Sequence, residues 1–259
     1  MNFSQEGQGP VIVLSHALAL DRHMWDALTV ELAPHCTVVR YDTRGHGQSP
    51  ASDAPYTMDD LAEDAAALIR SLNKGPVVFA GLSLGGMVGQ ALAARHPELL
   101  RGLVIINSAA HYADRSLWDT RMQAVKTTGM PAVAEGSLDR WLTPAFRQTP
   151  KGQAVAERLR ASLLDTDTLG YVRACEAIAS MDLRAGNRRI TTPTLIVAGR
   201  HDLATPLALS QAMAGDIAGS KLVEVDAAHI SAAEAPQALA RTLIGWLKTL
   251  PAEAPAARR

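Results

Sequence analysis

The sequence contains little cysteine, few aromatic residues and no excess of charge of either sign. Its 259 residues include 2 cysteines and 4% aromatic residues, with 25 Lys plus Arg against 26 Asp plus Glu. The balanced charge removes the broad electrostatic argument for binding nucleic acid or an acidic membrane surface. Cys36 and Cys175 stand far apart without metal-ligand spacing, so we expect two reduced, non-catalytic thiols and no metal site.

Long hydrophobic runs are also missing. The first apolar stretch, residues 11–20, is interrupted by Ser15 and His16, and no basic segment precedes it. We therefore expect neither a signal peptide nor a membrane span, and a cytoplasmic protein. The Ala- and Pro-rich end at 251–259 is expected to be frayed. The length and the 47% hydrophobic content predict one large domain, or one domain with an insertion.

Short runs rich in Val, Ile and Leu recur along the chain and predict strands that are buried on both faces. Apolar residues repeat at helical spacing after a possible Thr57 cap and again after Pro236. This alternation of strands and helices predicts a mostly parallel sheet flanked by helices. The predicted strands lie at residues 11–14, 38–41, 77–80, 103–106, 195–198 and 222–225.

The alternation fails in one long segment, where apolar residues repeat only at helical spacing. Glycine and proline punctuate this segment, which predicts three or four short helices that form a cap over the sheet. The predicted organisation is a core domain of residues 1–110 and 190–259, with an inserted helical cap at 111–189.

A Gly-Leu-Ser-Leu-Gly motif at residues 81–85 follows the predicted strand at 77–80 and precedes a predicted helix. In this context a sharp turn exposes the serine in a strained backbone conformation, and the glycines avoid clashes with the strand and the helix. We therefore predict that Ser83 is a nucleophile; a glycine-rich structural turn is the alternative. The Leu84 N–H, at the start of the helix, is a predicted oxyanion donor.

A nucleophilic serine needs a base, and the base needs an acid that orients it. On this type of sheet the chain order is serine, acid, histidine. Of the histidines after Ser83, only His229 follows a late strand with an acid at the end of the strand before it, so His229 is the predicted base. Asp202, directly beyond the strand at 195–198, is the predicted acid. Asp226 is the rival, although it lies only three residues from His229.

Other polar residues are secondary candidates for positions in or near the site. Asp182 is an acid candidate if the acid belongs to an earlier strand. His96 is expected at a helix end, and His111 at the mouth of the pocket. The second oxyanion donor is expected in the loop after the first predicted strand, with the Leu18 N–H as first choice and Ala17 as second.

Six motifs spread over nearly the whole chain carry a family resemblance. They read Arg-Tyr-Asp-Thr-Arg-Gly-His-Gly at 40–47, Gly-Leu-Ser-Leu-Gly-Gly-Met at 81–87, Ala-Ala-Arg-His-Pro at 93–97, Arg-Trp at 140–141, Cys-Glu-Ala-Ile at 175–178 and Asp-Ala-Ala-His-Ile-Ser at 226–231. With them the chain resembles the α/β-hydrolase superfamily and, within it, the 3-oxoadipate enol-lactonases. The resemblance implies an α/β-hydrolase fold and hydrolysis of an enol-lactone to 3-oxoadipate without a cofactor.

The implied substrate carries a free carboxylate remote from the scissile bond. A cap that selects it needs a fixed cation, and arginine supplies a planar donor fork. Arg140, beside Trp141, is therefore an expected substrate-binding residue. The alternative is that Arg140 is a solvated surface residue or an ion-pair partner of Asp139 or Glu135.

Two departures from the lactonase pattern leave other functions open. The loop at 15–19 reads Ser-His-Ala-Leu-Ala, where those lactonases usually read Ser-Asn-Ser-Leu-Gly, and it is closer to the His-Gly form of general esterases. The family begins with a hairpin of two strands, but only ten residues precede Val11, so we expect a lost edge strand or a shortened start. The alternatives are a broad carboxylesterase or perhydrolase with the same triad, and a ligand-binding receptor on the same fold.

Overall fold

A seven-stranded sheet forms the centre of the computed structural model, which describes residues 1–251. Its spatial order is β1-β3-β2-β4-β5-β6-β7, and only β1 runs antiparallel to its neighbour. The strands are β1 (Phe3–Glu6), β2 (Val11–Ser15), β3 (Thr37–Tyr41), β4 (Val77–Leu82), β5 (Leu100–Ile106), β6 (Thr194–Gly199) and β7 (Lys221–Val225).

All six predicted strands are present, as β2 to β7. Every residue of β2, β3, β4 and β6 is buried, as continuous apolar runs in a parallel sheet require. A single strand, β1, precedes β2 and pairs with β3 from Phe3 opposite Tyr41 to Glu6 opposite Val38. The structure therefore has one strand before β2, where the family hairpin has two. Hydropathy did not reveal it because β1 is mostly exposed and has no apolar run.

Twelve α-helices surround the sheet within the described residues. A capping box between Thr57 and Asp60 starts α2, at the residue where a cap was predicted. The helices are α1 (Asp26–Leu32), α2 (Met58–Leu72), α3 (Leu84–Arg95), α4 (Ser116–Thr128), α5 (Pro131–Trp141), α6 (Pro144–Arg147), α7 (Pro150–Asp165), α8 (Thr168–Ser180), α9 (Arg184–Asn187), α10 (Leu207–Asp216), α11 (Ser231–Glu234) and α12 (Pro236–Leu247).

Six helices, α4 to α9, lie between β5 and β6, so the expected number of three or four was too low. Two of them, α6 and α9, are single turns that are too short for hydrophobic periodicity to detect. Pro144 and Pro150 each occupy the first turn of a helix, where the missing N–H has no cost. An isolated bridge joins His111 to Asp182 at the base of this segment. The domain boundaries at 111 and 189 remain predictions.

Both cysteine side chains are buried and free. Burial raises the pKa of Cys36 to about 11 and that of Cys175 to about 12, so both remain thiols at neutral pH. Within residues 1–251, no helix has the length and apolar character needed to cross a membrane. The same range contains no group of three His, Cys, Asp or Glu side chains suited to a metal ion. Most of the end that we expect to be frayed, residues 252–259, lies outside the described part.

Candidate active site

Ser83 occupies a sharp turn between β4 and α3. Its φ of 56° and ψ of −115° are strained for an L-residue. A Cβ on Gly81 would lie 2.0 Å from the carbonyl oxygen of Gly85, and a Cβ on Gly85 would lie 2.1 Å from that of Ser15. The turn therefore requires glycine on both sides of the serine, as the motif predicts.

The end of β5 holds this turn in place. The Ser83 N–H donates to the carbonyl oxygen of Ile106 at 2.9 Å. The Ser108 hydroxyl donates to the Ser83 carbonyl oxygen at 2.7 Å. With both backbone groups bonded, the serine side chain projects into a cavity that lies beneath the cap and is also lined by His229.

His229 and Asp202 form a buried pair at the ends of two neighbouring strands. The imidazole Nδ1 lies 2.8 Å from Oδ2 of Asp202, and the two residues are 3% and 5% exposed. Because a carboxylate accepts here, Nδ1 carries the proton and Nε2 is left as the proton acceptor. The pair has the form of a general base with its orienting acid.

The environment of Asp202 keeps its carboxylate ionised. The backbone N–H groups of Ala204 and Thr205 donate to Oδ1 at 2.8 and 2.9 Å. The Thr205 hydroxyl and the Asn107 amide donate to Oδ2 at 2.6 and 2.8 Å. Burial opposes ionisation, but the charge and hydrogen bond of His229, together with the two hydrogen bonds from Thr205, lower the pKa of Asp202 to about 2. The acid is therefore charged at neutral pH and orients the ring.

The two rival acids lie elsewhere. Asp226 is 76% exposed and pairs with His201, with Oδ1 2.8 Å from Nε2. Asp182 pairs with Arg184 at 2.6 Å at the base of the cap. In the described structure neither carboxylate forms a hydrogen bond or ion pair with His229, so Asp202 is the acid that the fold brings to the base.

Two backbone amides near Ser83 are left unbonded among the described residues. Leu84 is the first residue of α3, and neither its N–H nor that of Leu18 donates a hydrogen bond. The Ala17 N–H, the second choice from the sequence, instead donates to Sδ of Met24 at 3.2 Å. Unbonded amides beside a nucleophile suit a developing oxyanion, so Leu18 and Leu84 remain our proposed pair.

A buried histidine shapes the loop that presents Leu18. The Thr43 N–H donates to Nε2 of His16 at 2.9 Å, while Nδ1 lies 2.8 Å from the carbonyl oxygen of Ala17. The Gly85 N–H donates to the His16 carbonyl oxygen at 3.1 Å. His16, which stands where the lactonases usually have asparagine, thus connects the oxyanion loop to both neighbouring loops. Burial lowers the pKa of His16, so the ring stays neutral.

The polar segment at 42–49 anchors the same region. Asp42 accepts the backbone N–H groups of Arg22 and Gln48 at 2.8 and 3.1 Å. The His46 ring lies 5.2 Å from the His16 ring, centroid to centroid, and its Nε2 has no partner among the described residues. These contacts anchor the segment to the loops around it.

The buried His46 predicts a loss of stability in acid. Burial, and then the proximity of His16, lowers the pKa of His46 from 6.5 to about 3. Between these pH values the unfolded chain binds a proton that the folded protein excludes, so the free energy of unfolding falls as the pH decreases. We expect this group to contribute a loss of roughly 2 kcal/mol between pH 6.5 and 5. Urea unfolding at several pH values measures it, with His46→Gln as the comparison. If the free energy of unfolding depended equally on pH in the two proteins, His46 would not be the group responsible.

The remaining histidines play no part in this site. His96 ends α3, and its Nε2 lies 2.9 Å from Glu63, as expected for a residue at a helix end. His111 was expected at the mouth of the pocket, but it bridges to Asp182 at the base of the cap. The adjacent Tyr112 lines the cavity instead.

Arg140 and Trp141 lie in the wall of the cavity that contains Ser83. The acids proposed as alternative partners are engaged elsewhere: Asp139 pairs with Arg147 at 2.5 Å and Glu135 with Arg160 at 2.9 Å. Arg140 is half-buried and forms no ion pair with any described residue. The sequence left Arg140 as a substrate-binding residue or as a surface or ion-paired residue. The structure is consistent with the first interpretation, a cation that is available to a ligand.

Sequence reasoning missed several residues that support the site. Asn107 donates to Asp202 and to the carbonyl oxygen of Ala228, and its Oδ1 accepts from Ser231. Its signal was a polar residue directly after the apolar run at 103–106. Glu234 accepts the Ala228 N–H at 2.9 Å and also binds Thr143 of the cap. No local pattern marks Glu234, because its partners are distant in the sequence.

Comparisons with known proteins agree with this architecture. A family model described as alpha/beta hydrolase fold matches residues 10–236. The 3-oxoadipate enol-lactonase 2 of Acinetobacter baylyi is 34% identical over 241 residues, covering 92% of this chain and 89% of that protein.

Solved structures agree as well. The enol-lactonase of Burkholderia xenovorans LB400 is 37% identical with a TM-score of 0.91, covering 95% of this chain and 96% of its own. A malate-bound thermophilic esterase of Thermogutta terrifontis is 30% identical with a TM-score of 0.88, covering 95% and 92%. The predicted fold class is confirmed. The chain belongs to the α/β-hydrolase family and is a hydrolase of the group that includes enol-lactonases and esterases.

Proposed function

We propose that this hydrolase opens an enol-lactone that carries a carboxylate remote from the scissile bond, as in the conversion of 3-oxoadipate enol-lactone to 3-oxoadipate. The observation that carries the proposal is Arg140, a half-buried cation without an ionic partner among residues 1–251, in the cavity that contains Ser83. The enol-lactonases of A. baylyi and B. xenovorans support the lactone as the substrate class.

In the first half-reaction the Ser83 oxygen attacks the lactone carbonyl carbon while Nε2 of His229 takes the hydroxyl proton. The Leu18 and Leu84 amides donate to the oxyanion as it forms. The ring C–O bond then breaks, and the released enol oxygen takes the proton back from His229. An enol is a good leaving group because its oxygen charge is delocalised, and it converts to the ketone afterwards. The acyl group remains on Ser83.

In the second half-reaction water attacks the acyl-enzyme, which still carries the ring-opened chain because a lactone releases no separate leaving group. His229 removes a proton from the water, the oxygen attacks the acyl carbonyl, and the bond to Ser83 breaks as the serine regains a proton. The charge of Asp202 stabilises the imidazolium that forms in each half. The product is a dicarboxylate, with one carboxyl group from the substrate and one formed at Ser83.

A broad carboxylesterase or perhydrolase is the second candidate. Leu117 and Leu203 are 54% and 69% exposed, and both line the same cavity. An exposed apolar rim suits neutral acyl groups, and the T. terrifontis relative is an esterase. The discriminating experiment compares kcat/KM on lactones and esters of one size, with and without a free carboxylate. A preference for the neutral members would overturn the lactonase proposal.

A receptor on the same fold would bind ligands without turnover. A fluorophosphonate probe separates the two classes, because it reacts with an activated serine. We expect labelling of Ser83, and its complete absence in the folded protein would favour the receptor.

Removal of Arg140 is expected to change substrate preference. A hydrogen bond to a charged group contributes roughly 1.5–3 kcal/mol, so Arg140→Ala should lower kcat/KM for the acidic lactone by about 10- to 100-fold. A neutral ester of similar size should change by less than about threefold. Arg160→Ala, which removes a cap arginine that is paired with Glu135, is the matched control. Equal losses on both substrates would indicate a collapsed cap. No loss on either substrate would show that Arg140 is a solvated surface residue that does not bind the substrate.

A further inference from the structure

A second arginine faces the cavity beside Arg140. Arg121 belongs to α4, which packs against α5, the helix that carries Arg140. Both side chains line the cavity together with Ser83. The Arg121 guanidinium carbon lies 5.4 Å from the centroid of the Trp118 ring. A guanidinium over an aromatic face is oriented by it, so Arg121 is held within the cavity wall.

The acids of the cap do not neutralise this pair of arginines. Neither Arg121 nor Arg140 forms an ion pair with any residue in the described range 1–251. The neighbouring acids each pair with a different arginine: Asp119 with Arg115, Asp139 with Arg147, Glu135 with Arg160 and Glu176 with Arg173. These four acids are therefore engaged elsewhere.

Tyrosines in the same wall do not supply a negative charge either. Burial raises the pKa of both Tyr112 and Tyr171 above the ordinary range, so their phenols remain neutral. Burial and the positive charge of Arg121 lower the pKa of Arg140, yet a guanidinium does not lose its proton near neutral pH. The free protein thus keeps two like charges together in a partly buried site, an arrangement that a bound anion would stabilise.

We infer that Arg121 is a second specificity-determining residue, and that Arg121 and Arg140 together bind the remote carboxylate of the substrate. This inference rests on the proposed function and extends it to a residue that no sequence motif marked. A carboxylate has two oxygens in one plane, and each accepts from a guanidinium fork. Donors from two helices therefore hold the group from two sides, whereas a single arginine fixes one edge.

The first test measures substrate preference in Arg121→Gln. We expect kcat/KM to fall about tenfold for the acidic lactone or ester and by less than about threefold for the neutral ester of the same size. Lys126→Gln is the matched control, because it removes one positive charge from the exposed last turn of the same helix. No change for the acidic substrate, or equal losses on both substrates, overturns the inference.

The second test asks whether both arginines act on one carboxylate. In the Arg121→Gln, Arg140→Gln double variant, the loss for the acidic substrate should be smaller than the product of the two single losses, because each change weakens the same contact. Losses that multiply would show two independent sites and would overturn the shared one.

A conservative second variant, Arg121→Lys, covers the case in which Arg121→Gln folds poorly. Inhibition by adipate, a dicarboxylate without a scissile bond, should weaken about tenfold in Arg121→Gln and less in Arg121→Lys, which keeps the charge but not the fork. Unchanged inhibition in both folded variants contradicts the inference. Failure of the proposed function would give a different result from failure of this inference. In that case the wild-type enzyme itself would not prefer the acidic substrate over the neutral ester.

Discussion

Replacement of Ser83 by alanine is expected to lower kcat on the order of 10⁴-fold or more for every substrate the enzyme turns over. The change removes the only atom proposed to form the acyl-enzyme, while the oxyanion amides and the cavity remain. The fold should be preserved, because the contacts that hold the turn use the backbone of residue 83 and its glycine neighbours. Steady-state kinetics with a lactone and a neutral ester measure the loss.

A covalent probe gives the control for this experiment. A fluorophosphonate should add to one peptide of the wild type, the peptide that contains Ser83, and to none of Ser83→Ala. Circular dichroism and the thermal midpoint should match between the two proteins. Residual activity within tenfold of the wild type, in a folded variant that the probe no longer labels, would show that Ser83 is not the nucleophile.

Asp202→Asn is expected to lower kcat by roughly 10³- to 10⁴-fold, although it changes only one atom of the side chain. The carboxylate accepts the Nδ1 proton of His229 at 2.8 Å. An amide in its place can present its NH₂ group to Nδ1, which favours the tautomer with the proton on Nε2. In that tautomer Nε2 cannot accept the serine proton. Loss of the negative charge also removes stabilisation of the imidazolium.

Asp226→Asn is the matched control, because it makes the same chemical change three residues from His229. Its side chain is 76% exposed and contacts His201 rather than the base, so kcat should stay within about threefold of the wild type. The two variants are compared at one pH, with both folded. If Asp226→Asn loses most of its kcat and Asp202→Asn retains it, the proposed triad is wrong.

Local sequence patterns predicted most of the framework. Buried parallel strands appear as unbroken apolar runs because both faces of the sheet are covered, and the runs that became β2 to β6 fit this rule. The sixth run became β7, but the prediction that it is buried on both faces was wrong, because β7 lies at the edge of the sheet and is mostly exposed. The turn around Ser83 was visible because its backbone excludes a Cβ on either side. Asp202 and His229 followed from chain order, since the carboxyl ends of neighbouring parallel strands meet at one edge.

Local sequence patterns could not predict the contacts between residues of the cap. The sequence offers Arg140 two acids within five residues, but their spacings of one and five do not by themselves specify an ion pair on a helix. In the fold those acids pair with Arg147 and Arg160 instead. Which charges remain unpaired depends on how helices from different parts of the cap pack together. Arg121 showed no signal for the same reason.

The sequence by itself determined the alternation of strands and helices, the nucleophile turn and the order of serine, acid and histidine, because each depends on a short stretch of chain. Only the tertiary structure decided that Asn107 supports Asp202 across 95 residues, that the Ala17 amide is already bonded, and that two arginines share one cavity. These features arise from contacts between distant segments. Hydropathy and motif spacing describe neighbours along the chain, whereas the pairing of charges and hydrogen bonds is set by neighbours in space.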